Sequence, residues 1–176
     1  MKDRIKFNDA MLVAVMNGRK TQTRRPIDKE TLRLFDIASE AGECFPLGYN
    51  ADELFERYHL EFFPYGAIGD IINAADKDGN IKGKIEITDV WIQQVQDIED
   101  ESAELEGIRR HFDVVDVKCY GGEPVEMLGE FFTVDGVDAS FDSAYDAFEF
   151  TWKSIYGDNG WNNNPWVWVI EFKKVE

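Results

Sequence analysis

GRKTQTRR, residues 18–25, sets Arg19, Lys20, Arg24 and Arg25 within eight residues of a chain whose formal net charge is −16. Thr21 and Thr23 stand between the cations, so the stretch carries hydroxyls as well as charge. What precedes it fixes its setting. Asn8 is placed to cap a helix over 9–17, in which Met11, Leu12, Val15 and Met16 recur at helical spacing. Gly18 is placed to end that helix in a left-handed conformation. The cationic stretch therefore begins where a helix stops, and Pro26 follows it directly. It reads as an irregular loop entering a strand over 20–27. In a flat strand Lys20 and Thr23 would face opposite ways, so they meet only if the backbone bends between them.

Charge is unevenly spread. Residues 1–29 hold eight Lys/Arg against Asp3, Asp9 and Asp28, a balance of +5, which leaves −21 for the remainder. An acidic body repels phosphates at long range, which argues against non-specific duplex DNA binding. A positive concavity around Lys20 and Arg25 would suit a compact ligand or a strand engaged locally. The alternative is that these cations pair with the acids around them.

Hydrophobic residues make up 44% and aromatics 14% of the 176 residues, enough for a packed core and one domain over 1–176. No apolar run approaches the roughly 20 residues that span a bilayer, so no membrane association is expected. The opening MKDRIKFND lacks the apolar segment of a signal peptide, and the expected location is cytoplasmic. Cys44 and Cys119 are read as free thiols there, and His59 and His111 begin no metal-ligand spacing. Neither a metal nor an organic cofactor is expected.

Helices are expected at 28–40, at 50–60 with Asn50 as cap, within 97–108 ahead of Gly107, and at 141–156 ahead of Gly157. The last carries Phe141, Ala144, Tyr145, Phe148, Trp152 and Ile155 on one face. Strands are expected at 70–76 and 81–95, joined by a DKDGN turn at 76–80, and at 112–120 and 165–173. Residues 121–140 read as a poorly patterned acidic insertion. These elements suit an α+β fold on one small barrel-like sheet with peripheral helices.

Four pieces in this order carry a resemblance: GRKTQTRR after a helix, Gly69-Asp70 before a strand, AELEGI at 103–108, and WVWVIEF at 166–172. The chain resembles the ASCH family, in the pattern of its longer phage- and prophage-encoded branch. The family signature G-x-K-x-x-[TE]-x-R falls on Gly18, Lys20, Thr23 and Arg25. The resemblance implies a small PUA-like β-barrel framed by residues 5–27, 65–108 and 141–173, with insertions at about 28–63 and 110–140. One bacterial ASCH protein is an amidohydrolase of N4-acetylcytidine. Likeness to it implies Lys20 as proton acceptor, Thr23 as nucleophile and Glu106 as proton donor, without a metal. Other relatives are thought to bind RNA or modified nucleobases, so a nucleobase, nucleoside or RNA ligand is implied.

The chemistry of these residues gives separate expectations. A threonine hydroxyl attacks only once a base takes its proton. Lysine serves as that base if burial and the nearby Arg19, Arg24 and Arg25 lower its pKa. Glu106, beside the helix terminator Gly107, faces the negative end of a helix dipole, which would raise its pKa as suits a proton donor. The alternative is a solvated acid steadied by Arg109 and Arg110. Gly18 and Arg19 belong to the candidate binding loop. Arg25 is a candidate for an oxyanion or phosphate, Tyr65 for stacking on a base, and Asp70 for lining the pocket. Two rival readings remain: a module that reads RNA or a modified base without turnover, and an acidic phage protein that occupies a host nucleic-acid-binding protein.

Overall fold

The computed structural model describes residues 2–42, 47, 58–117, 121–123 and 125–175. Cys44, Cys119 and most of the helix expected at 50–60 lie outside these residues; Tyr58–Phe62 forms a 3-10 turn. The element order is β1 (Arg4–Lys6), α1 (Asp9–Met16), β2 (Gln22–Pro26), α2 (Lys29–Glu40), β3 (Ile71–Ala75), β4 (Ile81–Gln94), α3 (Asp100–Leu105), β5 (Arg109–Val117), β6 (Val125–Thr133), β7 (Ser140–Phe141), α4 (Ala144–Asn162) and β8 (Trp166–Val175). Among the described residues no helix is long and apolar enough to cross a membrane.

The capping chemistry acts as the sequence requires. Asn8 accepts from the Met11 amide at 2.8 Å to start α1, and Asp28 accepts from the Thr31 amide at 2.9 Å to start α2. Gly18 leaves α1 at φ +76°. Gly157, at φ 75° and ψ 171°, breaks α4 into a long arm and a last short turn, and Trp152 Nε1 bridges the break by donating to the Gly160 carbonyl at 2.9 Å. The buried face of α4 is Ala144, Ala147, Phe148, Thr151 and Trp152, whereas Ile155, expected on it, is exposed.

Five strands form the main sheet in the order β1-β3-β4-β8-β2, with β1 parallel to β3 and the other pairs antiparallel. The alternation of β8 divides two cores. Trp168, Ile170 and Phe172 pack with Leu12 and Val15 of α1 and Phe35 of α2. Val167 and Val169 pack with Ala103 of α3 and with Phe148, Trp152 and Trp161 of α4. Because both faces are covered, residues 167–170 are buried without interruption and read as a continuous apolar run.

The outermost strands, β1 and β2, form no ladder with each other. Arg25 spans them: its Nη2 donates to the Lys6 carbonyl at 2.6 Å, and its guanidinium lies 5.5 Å from the centre of the Phe7 ring. The sheet is thus tied edge to edge by a side chain, and among the described residues its ladder is open between β1 and β2. The single-sheet expectation is also corrected, because β5, β6 and β7 make a second sheet in that order. Residues 125–133, expected to be unpatterned, are the hairpin partner of β5. Their pattern is poor because Val125, Met127 and Leu128 face solvent, so polarity does not follow the pleat.

Trp168 is 1% exposed and meets the rings of Phe63 and Phe35 at 5.4 and 6.3 Å between centroids. Trp168→Ala is expected to lower unfolding free energy by about 3–5 kcal/mol in urea titrations. Val13→Ala, at a side chain 59% exposed, should stay within about 0.5 kcal/mol of wild type. Equal effects at the two positions would contradict this assignment of the core.

Candidate functional site

The loop between α1 and β2 doubles back on the helix it leaves. The Arg19 and Lys20 amides both donate to the Ala14 carbonyl, at 2.9 and 3.0 Å. The Thr21 amide donates to the Leu105 carbonyl at the end of α3, and the Thr21 carbonyl accepts from the Phe172 amide of β8. This bend precedes β2, so Lys20 escapes the alternation of the strand. Lys20 and Thr23 are each 1% exposed.

Across from the loop, α3 ends at Glu106, and Gly107 follows at φ +101°. A β-carbon built on Gly107 would sit 3.4 Å from the β-carbons of both Ala14 and Lys20, in a backbone conformation that strains other residues. Glycine there lets the turn lie against the loop. Lys20 Nζ donates to the Glu106 carbonyl at 2.7 Å and also to the Glu106 carboxylate. Arg24 Nη1 donates to the other carboxylate oxygen at 3.0 Å, and the Arg24 guanidinium lies 5.6 Å from the Phe148 ring centre. One buried carboxylate therefore holds two buried cations.

Burial pushes Lys20 down from 10.5 to about 8; Glu106 opposes the shift, and Arg25 and Arg24 add to it. Burial works to raise Glu106, yet the charges and hydrogen bonds of Lys20 and Arg24 prevail and hold the carboxyl below its ordinary 4.5. The raised pKa expected from the helix end is thus corrected. Two adjacent cations outweigh a partial dipole charge from a short helix. The solvated alternative is also excluded, since Glu106 is buried, while Arg109 pairs with Asp135 and Arg110 with Glu104 and Glu130.

Two adjoining concavities open here and share Met11, Glu106, Phe148 and Thr151. The smaller, of about 280 Å³, is also lined by Thr23, Arg24, Arg25, Trp152 and Tyr156. The larger, of about 430 Å³, extends between α1 and the Gly107–Ile108 turn. Thr23 and Glu106 thus meet on one surface. Lys20 lies beneath it with its side chain fully enclosed and lines neither concavity.

The other sequence candidates lie elsewhere or have partners. Arg19 donates to the Gly107 carbonyl at 2.8 Å and pairs with Asp135 at 2.5 Å, which fastens the loop. Gly18 lines neither concavity. Tyr65 is buried against Phe63 beneath Lys2 and lines a separate open groove with Lys2, Asp3, Arg4, Lys6 and Arg25. Asp70 is exposed and accepts from the Ala67 amide at 2.8 Å, a turn contact. The expected positive concavity centred on Lys20 is therefore corrected. Lys20 and Arg24 are paired inside, and the basic groove is formed by the N-terminal strand with Arg25. Arg24, expected only as one of the cations that lower the Lys20 pKa, joins the site directly, and its buried Nε has no partner among the described residues. No alternation marks it in the sequence, because Gln22, Thr23 and Arg24 are buried in succession and α3 buries only Ala103. No described group of three or more His, Cys, Asp or Glu side chains is placed to hold a metal.

The lowered pKa of Glu106 gives stability that is fully present above 4.5 and is lost as pH falls through the folded-state value. Glu106→Gln is expected to cost about 3–5 kcal/mol at pH 7, because two buried cations lose their counter-charge. It should also flatten the acid limb of a plot of unfolding free energy against pH. An unchanged acid limb would show that this carboxylate does not govern it.

No family model matches the chain, and no curated protein matches it. Two solved structures are similar to it. One is a protein of Enterococcus faecalis V583 described under the family model DUF984: 13% identity, 99% of this chain and 77% of that one, TM-score 0.48. The other is an ASCH domain from Lactobacillus crispatus JV V101: 13% identity, 94% of this chain and 70% of that one, TM-score 0.44.

Proposed function

We propose that the chain is an ASCH-type, PUA-like protein that takes a nucleobase or nucleoside, free or within RNA, into the cleft lined by Thr23, Arg24 and Glu106, and hydrolyses an N-acyl amide such as that of N4-acetylcytidine. The observation that carries this reading is the Glu106 carboxylate, which binds Lys20 and Arg24 and lines the same concavity as Thr23. Phe148, Trp152 and Tyr156 give the cleft aromatic walls against which a planar base packs.

Lys20, brought to about 8, is partly neutral near physiological pH and accepts the Thr23 proton as the hydroxyl attacks the amide carbon. The resemblance implied Glu106 as proton donor. A carboxylate held ionised by two cations is better suited to orienting Lys20 and stabilising its ammonium form, which then protonates the departing amine. Water releases the acyl group from Thr23. The unpartnered Nε–H of Arg24 is available to a carbonyl or developing oxyanion in the cleft. No step calls for a metal or organic cofactor.

A second reading, a reader of RNA or a modified base without turnover, is favoured by one observation: the Lys20 side chain is 0% exposed. Turnover of N4-acetylcytidine and a panel of N-acyl bases, followed by chromatography, separates the two. For the enzyme, Thr23→Ala and Lys20→Met each lower kcat by about 10²–10⁴-fold. The wild-type rate rises with pH and levels off above about 8, as Lys20 loses its proton. Nucleoside or RNA binding without turnover of any panel member favours the reader. Turnover equal to wild type in both variants would place the chemistry elsewhere.

A further inference from the structure

Beyond Arg110, β5 and β6 leave the body as a two-stranded ribbon. β7 pairs only with Phe132 and Thr133, and β5 is the outer strand, so residues 111–117 and 125–131 have no further strand beside them among the described residues. A lone two-stranded ribbon is marginal in water, and this one does not hide its apolar side chains. Phe112 is 57%, Val114 59% and Leu128 70% exposed.

The register assigns these residues to one face. Phe112 lies opposite Glu130, Val114 opposite Leu128, and Asp116 opposite Glu126. Directly opposed residues share a face, as do alternate residues, so Phe112, Val114 and Leu128 form one apolar strip. The other face is covered near Gly129, where Phe131 and Val115 close over it, and exposes Val117, Val125 and Met127 toward the tip with no acid opposite them. The strip is bounded by acids: Asp116 and Glu126 toward the tip, without ion pairs among the described residues, and Glu130 toward the base, paired with Arg110 at 3.1 Å. Residues 111–117 and 125–131 contain Asp113, Asp116, Glu126 and Glu130 and no Lys or Arg.

We propose that this face is a docking surface for an extended, basic segment of a partner protein, one in which Lys or Arg alternates with apolar residues. Apolar side chains would cover Phe112, Val114 and Leu128 while the cations meet Asp116 and Glu126. Contiguous exposed apolar surface marks an interaction site, and the sign of its rim selects the partner. A second copy of the chain fits poorly. Its own ribbon is equally acidic, and the two bodies of like charge repel.

The test uses the full chain and a synthetic peptide of alternating Lys and Val, with an alternating Lys and Ser peptide of equal charge as control, titrated by calorimetry. The Lys/Val peptide should bind at least about tenfold more tightly than the Lys/Ser peptide. The triple variant F112S, V114S, L128S, with charge unchanged, should lose at least about tenfold in affinity for the Lys/Val peptide. Asp116→Asn with Glu126→Gln should weaken binding and reduce its salt dependence. Leu128→Ser alone, at the most exposed of the three positions, gives a milder loss in the same direction and covers the case of an unfolded triple variant. Equal affinity for the two peptides, or no loss on removing the apolar residues, would mean that body charge alone attracts the peptide and would overturn the proposal. Dimerisation of wild type that Leu128→Ser abolishes would assign the face to a second copy and overturn it as well.

Discussion

Glu106 occupies the point on which the arrangement of the cleft depends. Its carboxylate is the shared counter-charge of Lys20 and Arg24, two cations that reach it from before and within β2. Without it, two positive charges would lie buried side by side, an arrangement far costlier than the loss of one hydrogen bond. The constraint is reciprocal. The Glu106 backbone carbonyl also receives Lys20, the Thr21 amide is bound by the end of α3, and Gly107 leaves room for the loop to approach. The loop, α3 and the start of β5 are therefore joined by one electrostatic contact in addition to the apolar packing of Ala103 and Ile108.

Around that contact the main sheet supplies rigidity. β8 is paired on both sides, to β4 and to β2, and feeds one core from each face. Its position fixes β2, and β2 in turn fixes Thr23 and Arg24 at the cleft. The Arg25 contact to Lys6 draws the sheet's edges together, which sets the basic groove of the N-terminal strand next to the cleft without merging the two. Consecutive arginines thus have different tasks. The pleat sends Arg24 inward to a carboxylate and leaves Arg25 on the other side, over Phe7.

Much of this was legible from particular residues. Asn8 and Gly18 mark the ends of α1 and Gly157 marks the break in α4, because their chemistry acts locally, on an amide three residues away or on a single left-handed φ. The apolar run 167–170 marks a strand covered on both faces. By contrast, the partner of β5 was illegible. Val125, Met127 and Leu128 are exposed, so the link between polarity and pleat that makes strands readable does not operate there.

The sequence by itself determined the starts of α1 and α2, the strands of the main sheet other than the short β1, and the grouping of Lys20, Thr23 and Glu106 as residues of interest. Those features depend on side chains close together in the chain, or on a motif. The tertiary structure alone decided that Arg24 joins them, that Glu106 is held ionised, and that Arg19, Tyr65 and Asp70 have structural partners elsewhere. The reason is physical. Burial and pairing between residues some eighty positions apart set the charge state of each group, and neither quantity can be read from spacing along the chain.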